Sequence, residues 1–132
     1  FDQFTVNMTK GELKVIVVEA KGLKDEDLIG KSDPYVELWI TKDYKQRTST
    51  KKNTLSPIWN EDFKFNIDTH EHHLYIKVLD EDFGEDDKLG EAKVDLKEVY
   101  KKGYVDEWVK LPALLGLRSK GEVHLILEYS AS

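Results

Sequence analysis

Cysteine is absent from this 132-residue chain. That excludes a disulfide scaffold, a thiolate metal site and a cysteine nucleophile. Long hydrophobic runs are absent too. Val15 to Val18 is a typical apolar run, and Lys14 breaks the stretch that would extend it back to Leu13. Nothing approaches the roughly 20 residues needed to span a bilayer as a helix. There is no G-x-S-x-G element and no glycine-rich phosphate loop. No signal peptide precedes the first strand, and the chain opens on Phe1 rather than methionine. The expectation is an excerpt or a processed form, with any anchor lying outside it. Basic excess is also missing. The net charge is −6, from 26 acidic and 20 basic residues, which taken alone argues against nucleic acid or an anionic membrane as a partner.

What is present describes one globular domain. A chain of this size buries about 65–70% of the surface its unfolded form exposes. Apolar residues make up 39% and charged residues 35%, a globular composition rather than a disordered one. The mean charge hides two opposite local fields. Lys42, Lys45, Arg47, Lys51 and Lys52 fall within one short stretch against a single acid, Asp43. Asp80, Glu81, Asp82, Glu85, Asp86 and Asp87 form a second stretch with no base.

Hydrophobic periodicity reads as strands. Leu13, Val15 and Val17 alternate with Lys14, Ile16 and Val18. Tyr35 to Ile40 follows Pro34, a residue tolerated at a strand's first position. Tyr44 to Thr50 is polar but β-prone, and residues 51–59 read as a loop. Phe63, Phe65 and Ile67 alternate with polar neighbours. Leu74 to Leu79, Leu89 to Val94, Val105 to Leu111 and Glu122 to Tyr129 complete the set. Asp95 to Lys102 is the one expected helix, with Gly103 as its cap. Strands in succession without interleaved helices predict an antiparallel sandwich or barrel.

Five aspartates stand out at strand ends and in the loops beside them: Asp27, Asp33, Asp80, Asp82 and Asp87. Crowded carboxylates repel and persist when a cation neutralises them. Two readings compete, a solvated acidic surface and a cation site. An Asp-x-Asp at a strand end, with a second pair far off in sequence, favours the cation. Calcium takes roughly six to eight oxygens at about 2.3–2.6 Å in forgiving geometry, where magnesium demands a tight octahedron. Zinc prefers nitrogen and sulfur. An EF-hand fails on this loop. With Asp80 at its first position, Gly84 and Glu85 fall where an oxygen ligand and a glycine are required.

Four segments carry a family resemblance: GKSDPYVEL from Gly30, TLSPIWNEDFKF from Thr54, LDED from Leu79 and DDKLGE from Asp86. In this order they resemble the C2 domain, the calcium-dependent phospholipid-binding sandwich. The likeness covers residues 11–129, with Ser56 where the family often has asparagine. It implies an all-β fold, an eight-stranded antiparallel Greek-key sandwich with one short helix. Because EVHLILEY closes the chain at Glu122 to Tyr129, it implies the type II strand order. Residues 1–10 are then an N-terminal extension and 11–132 the domain. The third loop and the tail VDEWVKL…KGEVHLILEY look nearest to extended synaptotagmins or small proteins with a single such domain.

The resemblance also implies a site. Asp27, Asp33, Asp80, Asp82 and Asp87 would ligate calcium, two ions in all, with backbone carbonyls near Glu26 and Glu81 completing the shells. The expected function is calcium-dependent binding to anionic phospholipid membranes, an electrostatic switch without large motion. Leu28, Ile29 and Phe83 at the loop tips would insert into the bilayer. Leu28 and Ile29 could instead pack under their own loop. A second surface is implied at Lys45, Arg47, Lys51 and Lys52, which would take phosphoinositide or other anionic lipid. Glu37 and Ser49 stand where phosphoinositide-binding relatives carry lysine, which weakens that surface. The alternative function is a calcium-insensitive phosphoinositide- or protein-binding scaffold. No catalysis is expected, and the expected location is cytoplasmic, peripheral on membranes once calcium binds.

Several residues take structural readings. Trp59 and Trp108 are expected in the core, and Trp39 on either face of its strand. Tyr35 reads as structural. The HEHH stretch, His70 to His73, is a polar turn in preference to a transition-metal site. It lies at the opposite end of the strands from the aspartates. His124 reads as a strand-face residue.

Overall fold

A computed structural model describes residues 9–23, 32–112 and 121–132. Among the described residues eight strands form in chain order: β1 (Thr9–Lys21), β2 (Pro34–Trp39), β3 (Lys45–Arg47), β4 (Ile58–Thr69), β5 (His73–Asp80), β6 (Asp87–Asp95), β7 (Tyr104–Lys110) and β8 (Glu122–Ala131). The helix α1 (Lys97–Lys102) lies between β6 and β7. Two four-stranded antiparallel sheets result, ordered β4-β1-β8-β7 and β3-β2-β5-β6. The closing strand β8 is an interior strand of the first sheet, paired with both β1 and β7. That is the sandwich with the expected strand order.

Alternation builds the core. Leu13, Val15 and Val17 of β1 and Val123, Leu125 and Leu127 of β8 point inward and are fully buried. They meet Val36 and Leu38 of β2 and Leu74, Ile76 and Val78 of β5 in one cluster. Each such side chain contributes about 1.5–3 kcal/mol on burial. A bulge follows Val17 in β1, so the inward position after it is Ala20.

Several boundaries differ from the sequence reading, three of them with a clear local cause. β3 is shorter than expected. Tyr44 sits in a turn, its N–H on the Thr41 carbonyl at 3.2 Å. At the other end the Thr48 hydroxyl, not a backbone carbonyl, accepts the Val36 N–H at 2.9 Å. β4 starts earlier than expected, at Ile58, so Trp59 belongs to a strand rather than a loop. The helix starts at Lys97 because Asp95 is the last residue of β6 and its carboxylate accepts the Lys97 N–H at 2.9 Å. Gly103 closes the helix at φ 81°, its N–H on the Val99 carbonyl at 2.7 Å.

The tryptophans separate. Trp59 is in the core, 5% exposed. Trp108 is not, contrary to expectation. It is half-buried on the outer face of the first sheet, stacked on His124 at 4.9 Å with the Lys21 ammonium over its ring. Its register partner is His124, whereas the inward Val123 and Leu125 face Val109 and Glu107. Trp39 also faces outward, stacked on Tyr75 at 5.8 Å.

Candidate functional site

Strand pairing brings separate acidic segments to one end of the second sheet. Pro34 pairs with Asp80, and Asp80 pairs with Asp87. Asp33 therefore stands beside the end of β5, while Asp87 opens β6 opposite Asp80. Side chains of directly opposed residues share a face, with Cβ atoms about 4.5–5.5 Å apart, and like charges there destabilise a ladder. The sequence reading placed Asp87 in a loop. It is instead the first residue of a strand, and that register sets it against Asp80.

Asp80 is the least exposed of these carboxylates, at 7%. One oxygen accepts the Asp33 N–H at 2.8 Å. Its pKa is raised, first by burial and then by the negative charges of Asp33, Asp82 and Asp87, with the Asp33 N–H opposing the shift. Burying a carboxylate beside other carboxylates is costly unless its charge is compensated. The Asp33 carboxylate accepts the Asn53 N–H at 2.7 Å, and its carbonyl accepts the Glu81 N–H at 2.9 Å. Asp82 sits on the exposed third loop between β5 and β6, its carboxylate on the Phe83 N–H at 2.7 Å. Phe83 itself is fully exposed. Asp27, Leu28, Ile29 and Glu26 lie outside the described residues. Among the described residues, no group of three or more His, Asp or Glu side chains is arranged to hold a metal ion. The donor set is nevertheless all oxygen and all hard, which fits calcium.

Asp86, singled out only as part of the acidic run, has a distinct task. It accepts the Tyr35 hydroxyl and the Asp82 N–H. These bonds hold its pKa low, the hydroxyl contributing most. The Tyr35 phenol in turn is pushed up to about 12, by burial first and then by Asp86. Tyr35 is thus structural, as expected, and its work is to tie the third loop to β2. Glu61 is a second residue that sequence reasoning missed. It accepts both the N–H and the hydroxyl of Ser49, while the Trp59 indole donates to the Ser49 carbonyl at 2.9 Å. The W-N-E element therefore fastens the chain just beyond β3.

The basic stretch meets the acidic end. Lys45 and Arg47 are exposed on β3 with half-buried Gln46 between them. Lys45 pairs with Glu37 at 3.6 Å and covers the Trp39 ring. Arg47 lies 3.6 Å over the Tyr35 ring and pairs with Glu81 at 3.4 Å. Lys52 also reaches Glu81, at 3.7 Å. Lys51 is carried alongside β2, its N–H on the Pro34 carbonyl at 3.0 Å.

At the far end, His70 to His72 form the turn between β4 and β5, and His73 opens β5. His72 packs edge-on against Tyr100, and His73 lies against Tyr75. His124 is on the outer strand face, within 2.6 Å of Asp106.

Residues 11–111 match the C2 domain family. The chain is 39% identical to synaptotagmin-4 of Arabidopsis thaliana over 127 residues, covering 90% of this chain and 22% of that protein. It is 38% identical to a calcium-dependent lipid-binding protein of Arabidopsis thaliana over 91 residues, covering 68% of this chain and 18% of that one. The chain thus spans about a fifth of the length of these relatives. Among solved structures, the paired C2 domains of extended synaptotagmin 2 with calcium bound superpose with a TM-score of 0.79. That match has 34% identity and covers 92% of this chain and 46% of the other.

Proposed function

This chain belongs to the C2 domain family, and on that premise we propose that it targets its parent protein to anionic phospholipid membranes in a calcium-dependent way. The observation that carries the reading is Asp80, buried and set opposite Asp87 with Asp33 and Asp82 beside it. The names of two similar proteins support it, one a calcium-dependent lipid-binding protein and one a calcium-bound structure.

Asp33, Asp80, Asp82 and Asp87 would hold the ions together with Asp27, and the carbonyls of Glu26 and Glu81 would complete the shells. Bound calcium supplies neutralising charge and coordination positions open to lipid phosphate or carboxylate oxygens. Without neutralisation the aspartates repel an anionic surface. The strand register holds Asp33, Asp80 and Asp87 at one end, so the fall from strongly negative to nearly neutral needs no rearrangement of the sheets. Affinities for calcium and for lipid then rise together, by reciprocity. Among the described residues, no helix is long and apolar enough to cross a membrane.

Phe83, fully exposed on the third loop, would serve as an apolar anchor, alongside Leu28 and Ile29 proposed for the first loop. Phe83→Ala should weaken calcium-dependent binding to phosphatidylserine vesicles by roughly tenfold to a hundredfold, since burying a phenylalanine is worth about 1.5–3 kcal/mol. The melting temperature should stay where it is, because the ring touches no core. Unchanged vesicle affinity would remove Phe83 from the membrane contact.

A second reading assigns calcium-insensitive binding of phosphoinositide or of a protein partner to Lys45, Arg47, Lys51 and Lys52. The exposed pair on β3 favours it. The pairing of Lys45 with Glu37, and of Arg47 and Lys52 with Glu81, works against it.

A further inference from the structure

Glu81 stands between the acidic end and the basic strand, and its two halves face different ways. Its backbone lies between Asp80 and Asp82, with the N–H on the Asp33 carbonyl. Its carboxylate turns toward the basic stretch. There Thr50 donates its hydroxyl at 2.6 Å, Arg47 approaches at 3.4 Å and Lys52 at 3.7 Å. Arg47 also donates to the Thr50 hydroxyl oxygen at 2.7 Å, and stacking on Tyr35 orients its guanidinium.

A hydroxyl, a guanidinium and an ammonium converging on one anion form the donor set that receives a phosphate group. Here the chain's own carboxylate fills it. Arg47 and Lys52 remain 46% and 70% exposed, so an outside anion can reach them. Exposed ion pairs are weak, so such an anion can also displace Glu81.

We infer that Glu81 is an internal competitor for lipid phosphate: it occupies the Arg47–Thr50–Lys52 donor set and couples the basic strand to the third loop. The inference rests on the membrane reading only in naming a lipid surface as the source of the phosphate. It adds that the basic strand is restrained by a residue of the proposed calcium-binding loop.

The test compares Glu81→Gln with Glu85→Gln. Both remove one negative charge from the same loop, but Glu85 makes no ion pair with any described residue. Vesicles of phosphatidylserine with phosphatidylcholine, and of phosphatidylcholine alone, are used in chelator and in calcium. Glu81→Gln should raise binding to the anionic vesicles in chelator by about 25-fold, from two freed cations worth about fivefold each. Glu85→Gln should raise it far less, and neutral vesicles should show neither gain. Adding Arg47→Gln and Lys52→Gln to Glu81→Gln should return binding to the wild-type level. Equal gains in the two single variants, or a gain that survives loss of Arg47 and Lys52, would overturn the inference. Inorganic phosphate replaces vesicles in a further arm, and binding of the free ion without vesicle binding would overturn the lipid assignment. Wild-type binding in calcium is read separately, so failure of the calcium mechanism is distinguishable from failure of the Glu81 contact.

Discussion

Replacing Asp80 and Asp82 together by asparagine should abolish most of the rise in melting temperature that calcium gives the wild type. In chelator the double variant should melt higher than the wild type. Both effects have one cause. Folding removes the Asp80 carboxylate from water and sets it beside Asp33, Asp82 and Asp87, which raises its pKa. The charged form is therefore penalised in the fold, and asparagine relieves the penalty while keeping an acceptor for the Asp33 N–H. A ligand that binds only the folded state stabilises it by about 2.7 kcal/mol at one hundred times its dissociation constant. For a domain of this size that is a rise of roughly 10 °C. Differential scanning calorimetry in calcium and in chelator reads both signs. A calcium-induced rise of wild-type size in the variant would remove these two carboxylates from the site.

Leu125→Ala should have the largest effect on stability, a loss of about 2–5 kcal/mol. Leu125 is fully buried on β8, the strand paired on both sides in the first sheet. Its side chain belongs to the cluster shared by the two sheets, so alanine there leaves a cavity in the core. Domains of this kind are stable by only about 5–15 kcal/mol, so much of the margin would go. The next residue gives the contrast. Ile126 points to the outer face and is half-buried, and Ile126→Ala should cost about 1 kcal/mol. Urea unfolding of both variants checks this. Equal losses would mean that the inward and outward faces of β8 are wrongly assigned.

The strands that dominate the core were legible because one parity of residues is apolar in each. Leu13, Val15 and Val17 show this, as do Val123, Leu125 and Leu127. β7 resists the same reading. Val105 and Val109 share one parity and Trp108 takes the other, so the alternation alone does not say which face is inside. Its pairing with β8 decides, putting Trp108 opposite His124 outside and Glu107 opposite Leu125 on the inner side. Glu107 stays exposed because β7 is an edge strand, and its pKa is raised, by partial desolvation first and then by Glu98 of the helix.

In the acidic stretch the residue type was legible and the division of labour was not. Asp86 and Asp87 are adjacent and chemically the same. Only the ladder places Asp87 opposite Asp80, and only the third loop's path brings Asp86 onto the Tyr35 hydroxyl. Glu81 is similar. Its neighbours in sequence are acidic, while its side-chain partners lie on β3 and just beyond it.

Vesicle co-sedimentation tests the central claim most directly, with phosphatidylserine-containing against neutral vesicles, in calcium and in chelator. The account predicts that the domain sediments only when calcium and anionic lipid are both present. Sedimentation with anionic vesicles that is the same in chelator as in calcium would contradict it, and would move the binding surface from the Asp33–Asp80–Asp82–Asp87 end to the β3 cations.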